Sequence, residues 1–200
     1  MLNKQSKTLS EAQVKAVLSY IEKTRNPKRN LVIFLLSMKA GLRAKEIAYL
    51  TWQMVLESEN HKVGNTVDLT NKASKGKGSG RVIPLNKDLK IALDAYYSTE
   101  KLKKDFNSKI DYVIKTERAS RTSAQVIVNL FKNWYSNLGF IGCSSHSGRR
   151  TFITNTARKI SLVGGSLRDI QNLAGHASIN STQRYIESNN KAQQKVVNLI

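Results

Sequence analysis

His146 and Arg149 stand three residues apart at the start of a segment with helical patterning. On a helix that spacing puts both side chains on one face. The first turn of a helix adds unpaired N–H groups and the positive end of its dipole. An imidazole, a guanidinium and a helix start facing one way make an anion site suited to phosphate. The spacing alone fits a surface histidine beside a solvated arginine just as well.

A second cation follows a different signal. Gly41-Leu42-Arg43 places an arginine just past a helix end, between two apolar helices, with Glu46 three residues later. The rigid fork of Arg43 suits bidentate phosphate contact better than a lysine would. Glu46 either orients that guanidinium or pairs with it to join two helices in the core, and spacing does not choose between them. His176 follows Gly175 at a predicted helix end, and Tyr185 comes nine residues later. Neither is informative alone, since a helical tyrosine is usually a core or half-buried residue.

Charge narrows what these side chains serve. Thirty-three Lys and Arg face fourteen Asp and Glu, a formal net charge of +19. Such a chain repels itself unless a polyanion neutralises it. Nucleic acid is the first candidate and an anionic membrane surface the second. Apolar residues make up 40% of the chain, enough for a core. The most apolar stretch, Leu31–Met38, falls far short of the roughly 18 apolar residues of a membrane span. Met1–Thr8 is polar and carries no secretory h-region. One cysteine, Cys143, and three histidines support neither an internal disulfide nor a thiolate metal site. A cytoplasmic setting follows, nucleoid-associated when DNA is bound, with no cofactor and no metal.

The elements that would position these residues are mostly helical. Ser10 with Gln13 at N3 makes a capping box, and Leu9 and Val14 are placed as a hydrophobic staple. Asn26-Pro27 opens a second helix with Leu31, Phe34, Leu35 and Met38 as its buried stripe, ended by Gly41. A third, about 44–50, buries Ile47 and Leu50. Thr66-Val67-Asp68-Leu69 and Arg81-Val82-Ile83-Pro84-Leu85 read as short antiparallel strands around a Gly- and Lys-rich turn, Lys72–Gly80. Pro84 then falls at an edge or a strand end. Lys87 to about Lys104 is helical again, with Leu89, Ala92, Leu93 and Tyr96 inward, and 111–114 is a short extended piece. Thr122, with Gln125 at N3, opens a helix burying Val126, Leu130, Phe131 and Trp134. Further helices are predicted at about 147–160, at 167–174 capped by Ser166, at 181–189 and at 192–199. The fold class is α+β, mainly α: a helical body with a small antiparallel hairpin sheet, in a single domain spanning 1–200.

Several motifs taken together resemble the phage integrase, or tyrosine recombinase, family. They are Gly41-Leu42-Arg43-Ala44-Lys45-Glu46, Gly80-Arg81-Val82-Ile83-Pro84-Leu85, Ser145-His146-Ser147-Gly148-Arg149-Arg150-Thr151-Phe152, Leu173-Ala174-Gly175-His176 and Thr182-Gln183-Arg184-Tyr185. They occur in the family's order and at its approximate spacing, from Leu9 to Tyr185. The resemblance implies the family's catalytic-domain fold and metal- and ATP-independent DNA cleavage and rejoining through a covalent 3′-phosphotyrosyl intermediate. It implies Arg43 and Arg149 as the active-site arginines, His146 as the histidine of the His-x-x-Arg pair, and His176 at the position held by His or Trp. Tyr185 becomes the nucleophile and Glu46 the carboxylate supporting Arg43. Arg150 departs from the pattern, which often has His there, at a position that is not catalytic in the family. For the family's lysine the turn offers Lys72, Lys75 and Lys77, and Lys75 is preferred. The same residues would serve a type IB topoisomerase, which religates the original strand.

The resemblance also sets expectations for partners. Double-stranded DNA is the substrate. The protein is expected as a homo-oligomer, a tetramer on two DNA sites, and as weakly associated or monomeric without DNA. The catalytic core is expected at about 9–187, with 188–200 a tail that docks on a neighbouring protomer. Only eight polar residues precede the first helix, so the family's N-terminal core-binding domain is expected to be absent.

Overall fold

Helix α2 (Pro27–Lys39) runs through the middle of the molecule, packed by α1 (Glu11–Glu22), α3 (Ala44–Tyr49), α4 (Lys87–Glu100) and α6 (Ser147–Lys159). The computed structural model describes residues 5–57, 61–74, 80–117, 119–185 and 197. The expected one-sided stripe of α2 is wrong in part. Val32, Ile33 and Leu36 are buried along with Phe34, Leu35 and Met38, while Leu31 is only partly buried. A helix covered by neighbours on several sides is apolar nearly all round.

The caps of this central group follow the expected chemistry. Ser10 Oγ accepts from Gln13 N–H (3.2 Å), and Gln13 Oε1 accepts from Ser10 N–H (3.0 Å). Pro27 sits in the first turn of α2. Gly41 then adopts φ +64°, and Leu42 N–H reaches back to the Leu36 carbonyl at 3.0 Å. A Cβ on Gly41 would lie 2.5 Å from the Phe152 ring of α6. Where α6 crosses α2, a Cβ on Gly148 would lie 2.5 Å from Ser37 Oγ. Two glycines thus let the start of α6 press against the end of α2, which brings the 146–149 segment beside Gly41–Arg43.

Strands β1 (Thr66–Leu69) and β2 (Arg81–Pro84) form an antiparallel pair with Val67 opposite Ile83 and Leu69 opposite Arg81. Val67, Leu69 and Ile83 point into the core, and Val82 points out. Pro84 ends its strand as expected. Arg81, two residues from Ile83, shares the inward face. The 111–114 piece contributes a single bridge, Tyr112 to Thr51, rather than a strand. Leu89, Ala92, Leu93 and Tyr96 of α4 are buried as expected.

Helices α4, α5 and α8 differ from expectation, and α4 ends at Glu100, short of the expected Lys104. Helix α5 (Ala124–Asn137) is capped by Ser123, whose Oγ accepts from Val126 N–H at 3.2 Å, and not by Thr122. Its inward face is Ile127, Phe131, Trp134 and Tyr135; Val126 is exposed and Leu130 only partly covered. Ile127, Phe131 and Trp134 follow i, i+4, i+7 spacing, which Val126 does not share. Helix α7 (Leu167–Ala174) is as expected, but α8 spans Ile179–Gln183. It begins two residues early because Ser178 caps it through Asn180 N–H (3.3 Å). Tyr185 lies in the turn after α8, its N–H bonded to the Thr182 carbonyl at 3.0 Å. Among the described residues no helix is long and apolar enough to cross a membrane. The expected helix at 192–199 and the tail 188–200 lie outside the described residues, apart from an exposed Val197.

Candidate active site

The last carbonyls of α7 each accept from a different arginine. Leu173 O accepts from Arg81 Nε (3.0 Å), Ala174 O from Arg149 Nη2 (2.7 Å) and Gly175 O from Arg43 Nη2 (3.1 Å). A helix end carries unpaired carbonyls and partial negative charge, so it holds cations well. Gly175, at φ +60°, turns the chain there, and a Cβ on it would lie 2.6 Å from Arg81 Nη1. Arg149 also donates to the Gly41 carbonyl at 2.5 Å, tying the end of α2 to the end of α7 through α6.

Glu46 sits beneath the arginines, 1% exposed. Its Oε1 accepts from Arg43 Nη1 (2.9 Å) and Arg81 Nη1 (2.8 Å). Its Oε2 accepts from the Arg43 backbone N–H (2.8 Å) and Arg81 Nη2 (3.2 Å). Glu46 therefore both orients Arg43 and joins elements in the core, the two options that spacing left open. Burial by itself would raise its carboxyl pKa, but the hydrogen bonds and charges of Arg81 and Arg43 outweigh burial and hold it below the usual range. Sequence reasoning gave Arg81 no role. The signal was present: an arginine on the inward face of a strand needs a buried partner.

Arg43, His146, Arg149, His176 and Tyr185 all line one cleft of about 560 Å³, together with Arg150 and Arg184. Among the described residues lining it there is no carboxylate. Three arginines against Glu46 leave the centre positively charged. Arg43 and Arg149 each commit two nitrogens to the protein and retain further N–H groups for an anion. Burial first, then the neighbouring charge of Arg43, lowers the Arg149 pKa to about 10, still protonated at neutral pH.

The histidines respond to the same field. Burial, reinforced by Arg149, Arg43 and Arg81, lowers the His176 pKa to about 4. Burial with Arg149 and Arg43 lowers that of His146 as well. Both imidazoles are neutral at pH 7. His176 Nδ1 lies 2.9 Å from the Oγ1 of the fully buried Thr182, and its ring stacks on Tyr185. Arg150 contacts Gln5 and reaches within 5.7 Å of the Tyr185 ring centre. Lys75 and Lys77 lie outside the described residues, and Lys72 is exposed in its turn. Among the described residues no group of three or more His, Cys, Asp or Glu could hold a metal ion.

Known proteins share the sequence and the fold of this chain. Residues 7–192 match the phage integrase family. Tyrosine recombinase XerA of Pyrococcus horikoshii is 29% identical over 192 residues, covering 96% of this chain and 60% of XerA. Tyrosine recombinase XerD of Neisseria meningitidis is 29% identical over 163 residues, covering 78% of this chain and 54% of XerD. The chain thus spans between about half and two thirds of these relatives' length. In fold it resembles the crystal structure of XerA recombinase (TM-score 0.73, 22% identity, 98% of this chain and 65% of that one). It also resembles the Tn1549 transposon integrase in complex with circular intermediate DNA (TM-score 0.75, 20% identity, 100% and 68%). The chain belongs to the phage integrase family of tyrosine recombinases and has the fold of their catalytic domain.

Proposed function

We propose that this chain is the catalytic domain of a site-specific DNA recombinase or integrase with Tyr185 as nucleophile. The observation that carries the reading is the convergence of Arg43, Arg149, His146, His176 and Tyr185 on one cationic cleft with no carboxylate among its described lining residues. Tyr185 Oη attacks the scissile phosphorus while the bond to the 5′-oxygen breaks. The products are a 3′-phosphotyrosyl link and a free 5′-hydroxyl. Neutral His146 takes the phenolic proton, and His176 donates to a phosphoryl oxygen. Lys75 protonates the departing 5′-oxygen. Arg43 and Arg149 stabilise charge developing on the phosphoryl oxygens, a contribution of roughly 3 to 4 kcal/mol per donor in comparable sites. Rejoining runs the steps backward with a partner strand's 5′-hydroxyl. The link conserves the phosphodiester energy, so the cycle needs neither ATP nor a metal.

The substrate in this reading is double-stranded DNA, consistent with the net charge of +19. Solved relatives include XerH bound to difH and a lambda integrase dimer bound to a COC′ core site. By analogy the assembly here is a tetramer on two sites, built from protomers that are weakly associated without DNA and linked by the 188–200 tail. The test is covalent capture from a pool of nicked duplexes with randomised sequence. Wild type should retain DNA on a denaturing gel, and Tyr185→Phe should retain none while still binding duplex. Adduct with Tyr185→Phe would overturn the assignment of the nucleophile.

A further inference from the structure

We infer that Arg81 is a positioning residue: acting through Glu46, it fixes the guanidinium of Arg43 for phosphate chemistry. The inference rests on the proposed role of Arg43 as a phosphate-stabilising cation. Arg81 is not among the residues lining the cleft, so it acts at one remove from substrate.

The geometry is a shared carboxylate. Arg81 presents two prongs to Glu46, 2.8 Å to Oε1 and 3.2 Å to Oε2, while its Nε holds the Leu173 carbonyl at 3.0 Å. Its side chain is 8% exposed, against 29% for Arg43. A buried carboxylate draws in the strongest fork available. With Arg81 bonded to both oxygens, Arg43 gives Glu46 only Nη1 and its backbone N–H. Its Nη2 goes to Gly175 O, and the remaining N–H groups stay with the cleft. Without Arg81, Glu46 would have Arg43 as its sole guanidinium and would pull it down into a two-pronged pair, away from the phosphate. Lysine cannot substitute, because one ammonium cannot span both Glu46 oxygens and Leu173 O. Arg81 also opens β2, directly after the turn that carries the candidate lysines, so the position of Arg43 is set by the same strand that leaves that turn.

The experiment is single-turnover cleavage on a sequence recovered by covalent capture, made in two forms: the ordinary phosphodiester, and a methylphosphonate at the scissile position. The methylphosphonate replaces a charged oxygen with methyl and lessens the need for a well-placed guanidinium. Misplacing a reacting-centre group by about 1 Å costs about 10²-fold. Arg81→Gln and Arg81→Lys should therefore each slow phosphodiester cleavage about 10²-fold. An interaction used only in the transition state leaves binding alone, so DNA affinity should stay within about threefold. On the methylphosphonate both variants should recover to within about tenfold of wild type, and Arg43→Ala should show the same pattern. A merely structural residue would slow both substrates equally. That result, or full activity of Arg81→Lys on the phosphodiester, overturns the inference. Absence of adduct with wild type on either substrate would instead overturn the recombinase reading, and this inference with it.

Discussion

The imidazole of His176 lies against the ring of Tyr185, with centroids 5.7 Å apart and planes 20° from parallel. The contact links the residue after the α7 turn to the proposed nucleophile on the far side of α8. Thr182 completes it from beneath, through Oγ1 to His176 Nδ1. That bond leaves Nε2 as the ring nitrogen available to a ligand. The stack also gives Tyr185 a wall in a region where the core is thin: Ile153, Ile170 and Ala174 are its only fully buried apolar side chains among the described residues.

The cationic surroundings of His176 set a pH dependence. Its pKa is near 4 in the free protein and near 6.5 in the unfolded chain. Between these values the unfolded state binds the extra proton, so stability falls as pH drops from about 6.5 toward 4 and levels below that. Glu46 also loses its contribution at the acid end. Comparison with His176→Phe isolates the histidine, and the difference between the two curves of melting temperature against pH should be confined to that window. A phosphate in the cleft should raise the His176 pKa. Duplex binding near pH 5 should then take up protons, read by calorimetry in buffers of different ionisation enthalpy. Proton release on binding would contradict the proposed electrostatics.

Gly175 should tolerate no side chain. Its φ of +60° costs an L-residue roughly 1 to 2 kcal/mol, and a Cβ would meet the Arg81 guanidinium. Gly175→Ala should lower unfolding free energy by at least about 1 kcal/mol in denaturant titration. Gly139, at φ +69° with nothing near its Cβ position, is the control. Its alanine variant should show the strain alone, without a cleavage defect.

The elements near the cleft were legible where local chemistry decides them. Ser10 with Gln13, Pro27, Gly41, Ser166 and Gly175 mark helix ends through bonds or backbone angles set within a few residues. The residues expected at the site follow from short motifs, and five of them share one cleft. Part of what escaped was set by partners distant in the chain. Arg81 meets Glu46 across 35 residues and Leu173 across 92. Local alternation reveals only that Arg81 shares a face with Ile83. On α5 the i, i+4, i+7 spacing of Ile127, Phe131 and Trp134 marks the buried face, and the expectation of Val126 departed from that period. The start of α8 was missed because the capping role of Ser178, which accepts from Asn180 N–H, was not read.

Salt should act strongly on binding. Each phosphate contact contributes about 0.9 to the slope of log K against log salt. Arg184 lines the cleft and is exposed. Arg184→Gln should reduce the slope by about 0.9 across all sequences alike if that side chain meets a phosphate. A wild-type affinity independent of salt would remove the electrostatic basis of the reading.

The lysine of the turn can be separated from the arginines by the atom each one serves. An arginine answers charge on the non-bridging oxygens, and a general acid answers charge on the leaving 5′-oxygen. Replacing that bridging oxygen with sulfur gives a leaving group that needs no proton. Lys75→Ala should therefore block cleavage of an ordinary strand and be largely restored on the 5′-sulfur substrate. Lys77→Ala and Lys72→Ala should show no such pattern, and Lys72 sits in the exposed turn after β1. Arg81→Gln should respond to the methylphosphonate and not to sulfur, because its path to the phosphate runs through Glu46 and Arg43. The base of the turn is pinned on both sides, by Gly80 N–H to Asn71 Oδ1 at 2.7 Å and by Arg81 to Glu46. The competing route is release of the second pin and a misplaced lysine, for which Arg81→Gln would be rescued by sulfur and not by the methylphosphonate. Rates on the two modified substrates distinguish these routes: rescue by methylphosphonate alone assigns Arg81 to Arg43, and rescue by sulfur alone assigns it to the turn. Sulfur rescue following Lys77 instead of Lys75 would shift the general acid two residues along the turn and leave the roles of the arginines unchanged.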